Sequence, residues 1–195
     1  MGAPEPSLIL ASSSPYRRAQ LETLGLDFET CSPDIDETRY EGEIAEDMVR
    51  RLSEAKARAV QRIRPGFVVV AGDQCAVLDD EVLGKPGGRE RARAQLHRAS
   101  GRTVTFLSGL AVGRADEPLD YAAVPVHVHF RALTDVEIER YLDRDEPFDC
   151  AGALRSEGYG AALLEGITSS DPSALLGLPR IALCGLLRRQ GFVLP

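Results

Sequence analysis

The chain has 195 residues, of which 44% are hydrophobic, and its formal net charge at pH 7 is −7. This length and composition suit a folded core, in one domain over residues 1–195, and argue against disorder. The acidic balance argues against a nucleic-acid-binding or anionic-membrane surface, because both require a basic excess. Four scattered cysteines favour reduced thiols over a zinc site. We find no signal peptide or bilayer span, and we therefore expect a soluble, cytoplasmic protein.

A serine-rich turn follows the first predicted strand, Leu8 to Ala11, and leads into a predicted helix from Pro15 to Leu24. Ser14 is a suitable N-cap, and proline suits the first helical position. Backbone N–H groups and hydroxyls then lie at the positive end of a helix dipole, beside Arg17 and Arg18. These are the parts of an anion site, with phosphate as the favoured anion. The alternative is an ordinary capped helix with solvated arginines.

Further strands and helices alternate along the rest of the chain. The patterns predict strands at 28–31, 67–71, 76–78, 82–83, 103–112, 123–131 and 161–167. They predict helices at 44–63 and 87–100, one that begins with a capping box at 134–137, and two terminal helices that begin after 171 and 179. This alternation predicts an α/β protein with a mixed sheet.

Two polar residues stand where the pattern would favour apolar ones. Asp73 follows the apolar run 67–71, at the predicted end of that strand, where α/β proteins carry catalytic carboxylates. A simple strand-end cap is the alternative for Asp73. Lys56 interrupts the predicted apolar stripe of the 44–63 helix, which consists of Val49, Leu52, Ala59 and Ile63. Its side chain either snorkels to solvent or reaches into a cleft.

Two loops add further charged candidates. Asp34, Asp36 and Glu37 cluster carboxylate oxygens that either hold Mg²⁺ or Mn²⁺ or are simply solvated. Lys85 follows the predicted hairpin, in a sequence that is not a P-loop. Together with Ser12, these side chains suit phosphate-ester chemistry. Cations neutralise a polyphosphate, while carboxylates hold a divalent ion and orient or deprotonate a water molecule.

The chain resembles the Maf proteins, which are nucleoside triphosphate pyrophosphatases related in fold to inosine triphosphatase. The matching segments span nearly the whole chain in the family's order: Leu10 to Pro15 with Arg17, Pro33 to Glu37, Lys56, Gly72 to Gln74, Leu83 to Pro86, Ser100-Gly101, Cys150 to Gly152, Ser156 to Gly158 and Gly177 to Pro179. The resemblance implies a strongly twisted mixed sheet flanked by helices, with a cleft between two lobes. It is also compatible with a homodimer.

The resemblance also implies a reaction and the residues that perform it. The reaction is hydrolysis between the α- and β-phosphates, with Mg²⁺ or Mn²⁺ as cofactor. Asp73 is then the proton acceptor for the attacking water, and Glu37 helps to bind the metal, a duty that Asp73 can share. The triphosphate is held by Ser12, Arg17, Lys56 and Lys85.

Within the family, the positions around the base resemble those of the 7-methyl-GTP pyrophosphatase subfamily. These base-specificity positions are Tyr16, Gln74 and Glu157, with tyrosine where tryptophan is expected. A carboxylate such as that of Glu157 can accept both the N1–H and the exocyclic amine of guanine. Methylation at N7 makes the base cationic, which favours a nearby carboxylate and an aromatic platform.

Two other functions remain open at this point. One is a dTTP and UTP pyrophosphatase of the same family, and the other is a nucleotide-binding regulator of septum formation without significant turnover. The carboxylates argue against the regulator, because a protein that only binds nucleotide does not need Asp73. A pyrophosphate-release screen over nucleoside triphosphates separates the three functions.

Overall fold

The computed structural model describes residues 7–195. Its strands are β1 Leu8–Ala11, β2 Phe28–Cys31, β3 Val68–Leu78, β4 Glu81–Leu83, β5 Thr103–Gly113, β6 Asp120–Phe130 and β7 Leu164–Thr168. Its α-helices are α1 Pro15–Glu22, α2 Ala45–Ile63, α3 Arg89–Ala99, α4 Asp135–Asp145 and α5 Arg180–Arg189. Short 3₁₀ helices occupy Ala151–Ala153, Tyr159–Leu163 and Pro172–Leu176.

A single mixed sheet connects these strands in the order β2-β1-β3-β5-β6-β7, and β4 pairs with the second half of β3. β1 runs parallel to both β2 and β3, whereas the other pairs are antiparallel. The predicted α/β class with a mixed sheet is therefore confirmed. Parallel pairing of β1 and β3 requires a crossover between them, and the segment that contains α2 supplies it.

Helices cover both faces of the β1–β3 region, which explains its continuous apolar sequence. On one face, Ile9 and Val69 pack with Val60 of α2. On the other, Leu10 and Val70 pack with α1 and α5. A separate apolar cluster joins α3 and α4 to the N-terminal half of β5 and the C-terminal half of β6. The sheet thus carries two groups of helices, with an opening between them.

β3 is a continuous strand of 11 residues, so the prediction that the strand ends before Asp73 was wrong. Asp73 lies in mid-strand, opposite Gly109 of β5. Gly72 and Gly109 allow the two strands to stay close here, because a Cβ on Gly72 would meet the Gly109 carbonyl oxygen at 2.7 Å. On its other edge, β3 pairs with β1 up to Ala71 and with β4 only from Ala76. The intervening residues 72–75 form the floor of an opening.

The buried face of α2 differs from the predicted stripe. Val49 and Leu52 are buried as predicted, but Ile63 is 65% exposed and Ala59 is only partly buried. The buried face continues instead through Lys56 and Val60. α2 is unbroken between these positions, so its 3.6 residues per turn place residues 49, 52, 56 and 60 on one face. Lys56 belongs to the buried face and does not snorkel to solvent.

Local start signals were predicted well, whereas some boundaries shift. Ser14 caps α1, and Thr134 and Glu137 form the predicted capping box of α4. β6 begins at Asp120, three residues before the prediction, and 3₁₀ turns replace the first residues of the predicted last strand. Within residues 7–195, no helix is long and apolar enough to cross a membrane. All four cysteines are free thiols.

Candidate active site

A cleft of about 680 Å³ opens next to residues 72–75 of β3, where that edge of the strand has no paired neighbour. Its walls come from the serine-rich turn, the acidic loop before α2, the loop after β4, and the segment 149–157. The cleft is lined by all nine residues predicted to form the site: Ser12, Tyr16, Arg17, Glu37, Lys56, Asp73, Gln74, Lys85 and Glu157. Residues far apart in sequence thus converge on one opening.

The ammonium group of Lys56 lies between two carboxylates at the floor of the cleft. Its Nζ is 2.6 Å from Asp73 Oδ1 and 2.9 Å from Glu37 Oε1. The side chains of Lys56 and Asp73 are only 7% and 11% exposed, whereas that of Glu37 is 59% exposed. Lys56 reaches this position because α2 packs against β3 with its buried face. The periodicity of α2 and the mid-strand position of Asp73 together create this arrangement.

The serine-rich turn is ordered by its own side chains. The Ser12 hydroxyl accepts a hydrogen bond from the Ser14 backbone N–H at 3.1 Å, and Ser14 Oγ accepts one from the Arg17 N–H at 3.4 Å. Ser12 is nearly buried at the end of β1. Because its oxygen is the acceptor, its hydroxyl hydrogen can still be donated to a ligand. The turn therefore presents a donor at the N-terminus of α1, as the anion-site prediction requires.

Arg17 connects α1 to the loop before α5. Its Nε donates to the Gly177 carbonyl oxygen at 2.8 Å, which leaves the two terminal nitrogens for other acceptors. Burial lowers the pKa of the Arg17 guanidinium, while the nearby carboxylates of Asp73 and Glu37 act in the opposite direction. The loop itself is held by buried Asp171, which accepts hydrogen bonds from the Ile181 N–H and from the Ser173 N–H and hydroxyl.

Gln74 lines the cleft, but its amide nitrogen is used within the protein. Nε2 donates towards Ser108 Oγ at 2.8 Å, the Ala174 carbonyl at 2.9 Å and the Leu175 carbonyl at 3.1 Å. These bonds tie β3 to the 3₁₀ helix at Pro172–Leu176. The carbonyl oxygen of Gln74 is the atom that remains for a ligand. Any contact of Gln74 with a base is consequently that of an acceptor.

Tyr16 and Glu157 lie at one end of the cleft, and Arg155 joins them. Arg155 donates from a terminal nitrogen to the Tyr16 hydroxyl at 2.9 Å, and its Nε is 3.6 Å from Glu157 Oε1. Burial raises the pKa of the Tyr16 phenol, which therefore stays protonated at neutral pH. Arg155 is not among the site residues predicted from the sequence. Its one signal was a basic residue two positions before Glu157, next to the Ser156–Gly158 segment.

Both cysteines that line the cleft are poor nucleophiles. Burial raises the pKa of Cys75 to about 12, and it raises that of Cys150 to the same value. Reactivity requires the thiolate, which is scarce at neutral pH when the pKa is this high. The chemistry that the cleft offers is therefore that of carboxylates, cations and hydroxyl donors.

The acidic loop contributes one carboxylate to the cleft. Glu37 lines it, but Asp34 and Asp36 do not. Asp36 instead accepts a hydrogen bond from the Thr38 N–H at 2.8 Å, and bonding to the side chain and the backbone of Thr38 lowers its pKa. Across residues 7–195, no three His, Cys, Asp or Glu side chains are grouped as a metal site. Glu37 and Asp73 are the two cleft carboxylates that share the Lys56 ammonium, and the carboxylates of Asp149 and Glu157 also line the cleft.

The family assignment agrees with this geometry. The family model described as "Maf-like protein" matches residues 7–190. The chain belongs to the Maf family. Most of its motif segments, which are scattered through the sequence, contribute residues to the cleft, whereas Ser100-Gly101 lies outside it.

Two relatives match this Maf protein over nearly its full length. One, from Bordetella avium, is named "7-methyl-GTP pyrophosphatase" and is 51% identical over 188 residues, which cover 95% of this chain and 94% of the relative. The other, from Pseudomonas aeruginosa, has the same name and is 49% identical, over 97% of this chain and 100% of its own. A solved nucleoside-triphosphatase / dITP/XTP pyrophosphatase from Mycobacterium abscessus aligns with 97% of this Maf protein and 98% of its own chain, at 17% identity and a TM-score of 0.47.

Proposed function

We propose that this protein hydrolyses 7-methyl-GTP between its α- and β-phosphates, giving 7-methyl-GMP and pyrophosphate. The names of the two relatives, at 51% and 49% identity, support this substrate. The main support for the proposed reaction is that Lys56 lies between the carboxylates of Asp73 and Glu37 in an open cleft. Buried ion pairs contribute little net stability, so a buried pair that opens onto a cleft is better explained by chemistry than by folding.

The phosphate end of the proposed site consists of the donors near the serine-rich turn. Ser12 offers a hydroxyl hydrogen. Arg17 offers its two terminal guanidinium nitrogens, and the hydrogen bond from its Nε to the Gly177 carbonyl holds the guanidinium in position. Lys85 is exposed on the loop after β4 and lines the same cleft. These donors, with Lys56, match the several negative charges of a triphosphate. Arg18 lies outside this set, because it pairs with Glu22 on the exposed face of α1.

Asp73 is the proton acceptor in this proposal. Lys56 holds its Oδ1, so Oδ2 is the oxygen that can take a proton from the attacking water. Hydrolysis forms a bond from the water oxygen to phosphorus and breaks the bond to the bridging oxygen, which leaves with pyrophosphate. Because Asp73 lies within a long strand that is paired to β5, its carboxylate is held in place before the substrate binds.

The two carboxylates also fit a divalent cation that arrives with the nucleotide. Mg²⁺ typically uses one or two protein carboxylates and completes its shell with phosphate oxygens and water. Asp73 and Glu37 both contact the Lys56 ammonium, so their carboxylates lie close together, and Glu37 would hold the ion with Asp73 sharing that duty. Mg²⁺ or Mn²⁺ held by these residues would neutralise charge that develops on the phosphate oxygens.

The base end of the proposed site consists of Tyr16, Gln74 and Glu157. The ring of Tyr16 offers a stacking face, and the Glu157 carboxylate accepts from the N1–H and amine of guanine. Gln74 contributes a carbonyl oxygen, since its amide nitrogen is bonded internally. A positively charged 7-methylated base is favoured by both the carboxylate and the aromatic face.

The decisive experiment is a pyrophosphate-release assay over 7-methyl-GTP, GTP, dTTP and UTP, each with Mg²⁺ and with Mn²⁺. We expect the highest kcat/KM on 7-methyl-GTP. Asp73→Asn should abolish release and leave the circular dichroism spectrum unchanged. Asp34→Asn is the matched control, because this carboxylate belongs to the acidic loop but does not line the cleft. A preference for dTTP or UTP would favour the other family activity, and no turnover on any nucleotide would favour a regulator.

We also propose a location and a domain organisation for the enzyme. The substrate is a free nucleotide, and the reaction takes place in the cytoplasm. The chain forms a single domain over residues 1–195. A homodimer is the assembly that we propose to test by light scattering. A mass of 21.1 kDa in solution would correspond to a monomer and would contradict it.

A further inference from the structure

Arg155 does not itself line the cleft, but it holds a permanent positive charge against Tyr16 and Glu157, two residues of the proposed base site. Its guanidinium carbon is 5.8 Å from the centre of the Tyr16 ring, on which we place the base. Its Nε is 3.6 Å from the carboxylate of Glu157, and the side chains of Arg155 and Glu157 are 40% and 35% exposed. The charge of Arg155 therefore acts on whatever stacks on Tyr16.

The two charges at this end of the cleft act in opposite directions on a cationic base. The Glu157 carboxylate attracts the positive charge of 7-methylguanine, and the Arg155 guanidinium repels it. Neutral guanine makes the same hydrogen bonds to a carboxylate but carries no net charge for Arg155 to oppose. Arg155 thus weakens the discrimination that Glu157 provides between the methylated and the unmethylated base.

We propose that Arg155 is a specificity-determining residue whose charge limits the preference of the site for 7-methyl-GTP over GTP. This inference rests on the proposed function, since it takes the Tyr16–Glu157 end of the cleft as the base site. In return, Arg155 keeps that end in order, because it bonds the Tyr16 hydroxyl at 2.9 Å across 139 positions of sequence. Arg155 therefore has two effects: its hydrogen bond positions Tyr16, and its charge lowers the selectivity for the cationic base.

The charge of Arg155 can be removed without removing the local backbone structure. The Arg155 backbone N–H donates to the Tyr141 hydroxyl at 2.8 Å, and the Tyr141 hydroxyl donates to the Ala153 carbonyl at 3.0 Å. Both bonds are independent of the Arg155 side chain. Glutamine at this position keeps an amide donor for Tyr16 but loses the charge. Lysine keeps the charge and loses the planar guanidinium.

The expected effect is moderate, because the site is half exposed. Two charges within about one Debye length of each other, roughly 8 Å at physiological salt, still interact. At the high effective dielectric constant of such a site, this interaction corresponds to about a three- to tenfold change in an equilibrium constant. It acts on the methylated nucleotide alone.

The test measures kcat/KM for 7-methyl-GTP and for GTP in the wild type, Arg155→Gln, Arg155→Lys and the control Arg144→Gln. Arg144 stacks on Tyr159, whereas the contacts with Tyr16 and Glu157 are made by Arg155. We expect the ratio of the two kcat/KM values to rise about three- to tenfold in Arg155→Gln and to stay at the wild-type value in the other two variants. A purely structural role of Arg155 would lower both values together and leave the ratio unchanged.

Each other outcome overturns a specific statement. If the wild type prefers 7-methyl-GTP and the ratio is unchanged or lower in Arg155→Gln, the inference is wrong and the proposed function stands. An equal rise in Arg155→Lys would show that the charge is not the cause. If Arg155→Gln does not fold, Arg155→Met supplies the same comparison with a neutral side chain. A wild type that hydrolyses neither nucleotide overturns the proposed function, and the inference with it.

Discussion

Arg17 Nε donates a hydrogen bond to the carbonyl oxygen of Gly177 at 2.8 Å and so joins segments that lie 160 residues apart. Gly177 has a φ of +85°, a conformation that residues with a side chain rarely adopt. A Cβ at this position would also approach Arg17 Nε to 3.3 Å. The glycine therefore serves both the turn before α5 and the placement of a proposed phosphate ligand.

Gly177→Ala should reduce both stability and substrate affinity. Backbone strain should lower the melting temperature by a few degrees, since a left-handed residue with a Cβ costs roughly 1–2 kcal/mol. Displacement of Arg17 should raise KM for the nucleotide by about tenfold, as expected when a hydrogen bond to a charged group is weakened. Thermal unfolding and steady-state kinetics measure the two effects.

Gly25→Ala is the matched control for this change. Gly25 has a φ of +68°, and nothing lies within 4 Å of the position that a Cβ would occupy there. This variant should lose stability through strain in the same way and keep the wild-type KM. An equal rise in KM for both variants would contradict a specific contact between Gly177 and Arg17.

The Lys56–Asp73 pair should show strong energetic coupling in a double-mutant cycle. Lys56→Met leaves a buried carboxylate without its partner, and loss of one member of a buried pair typically costs about 3–5 kcal/mol. Lys56→Met combined with Asp73→Asn removes that uncompensated charge. We expect the double variant to be more stable than the sum of the single changes predicts, by about 1–3 kcal/mol in urea unfolding. Additive losses would argue against a direct pair.

Glu157→Gln should reduce the preference for 7-methyl-GTP over UTP. The amide replaces one acceptor oxygen by a donor and removes the negative charge that favours a cationic base. A site that loses a well-matched polar contact discriminates less, and we expect the ratio of kcat/KM values to fall by about tenfold or more. The activity on UTP is the internal control. An unchanged ratio would show that the Glu157 carboxylate does not recognise the base.

Acid should destabilise the protein in part through Glu139 of α4. Hydrogen bonds from Arg93 and Arg89 lower the pKa of Glu139 from 4.5 to about 2. Because this pKa is lower in the folded than in the unfolded state, its contribution to stability is present above pH 4.5 and is lost as the pH falls towards 2. We expect the urea midpoint to decrease over this range, and to decrease less in Glu139→Gln. Identical pH profiles for the two proteins would contradict this assignment.

Local sequence signals predicted where two helices start. Ser14 and Pro15 predict the start of α1, and Thr134 with Glu137 predicts that of α4, because capping bonds join residues only a few positions apart. The family resemblance predicted which side chains meet at the cleft. Neither source predicted that Gln74 would bond to Ala174, since that contact depends on how two distant segments pack.

The buried face of α2 shows why hydrophobicity alone was insufficient. Ala59 and Ile63 fit an apolar stripe with Val49 and Leu52, yet Ile63 is exposed and Lys56 is buried. The orientation of the helix follows from its packing on β3 and from the partners that Lys56 finds there. A charged residue can occupy a buried face when carboxylates from another element compensate it.

By itself, the sequence determined the mixed α/β class, the capped turn after β1, the acidic character of the chain, and its family motifs. These follow from composition and from interactions between residues that are near each other in the chain. Only the tertiary structure decided that Asp73 lies in mid-strand, that Lys56 is shared by two carboxylates, and that Arg155 joins Tyr16 to Glu157. Such contacts depend on strand register and helix packing, which place residues together regardless of their separation in sequence.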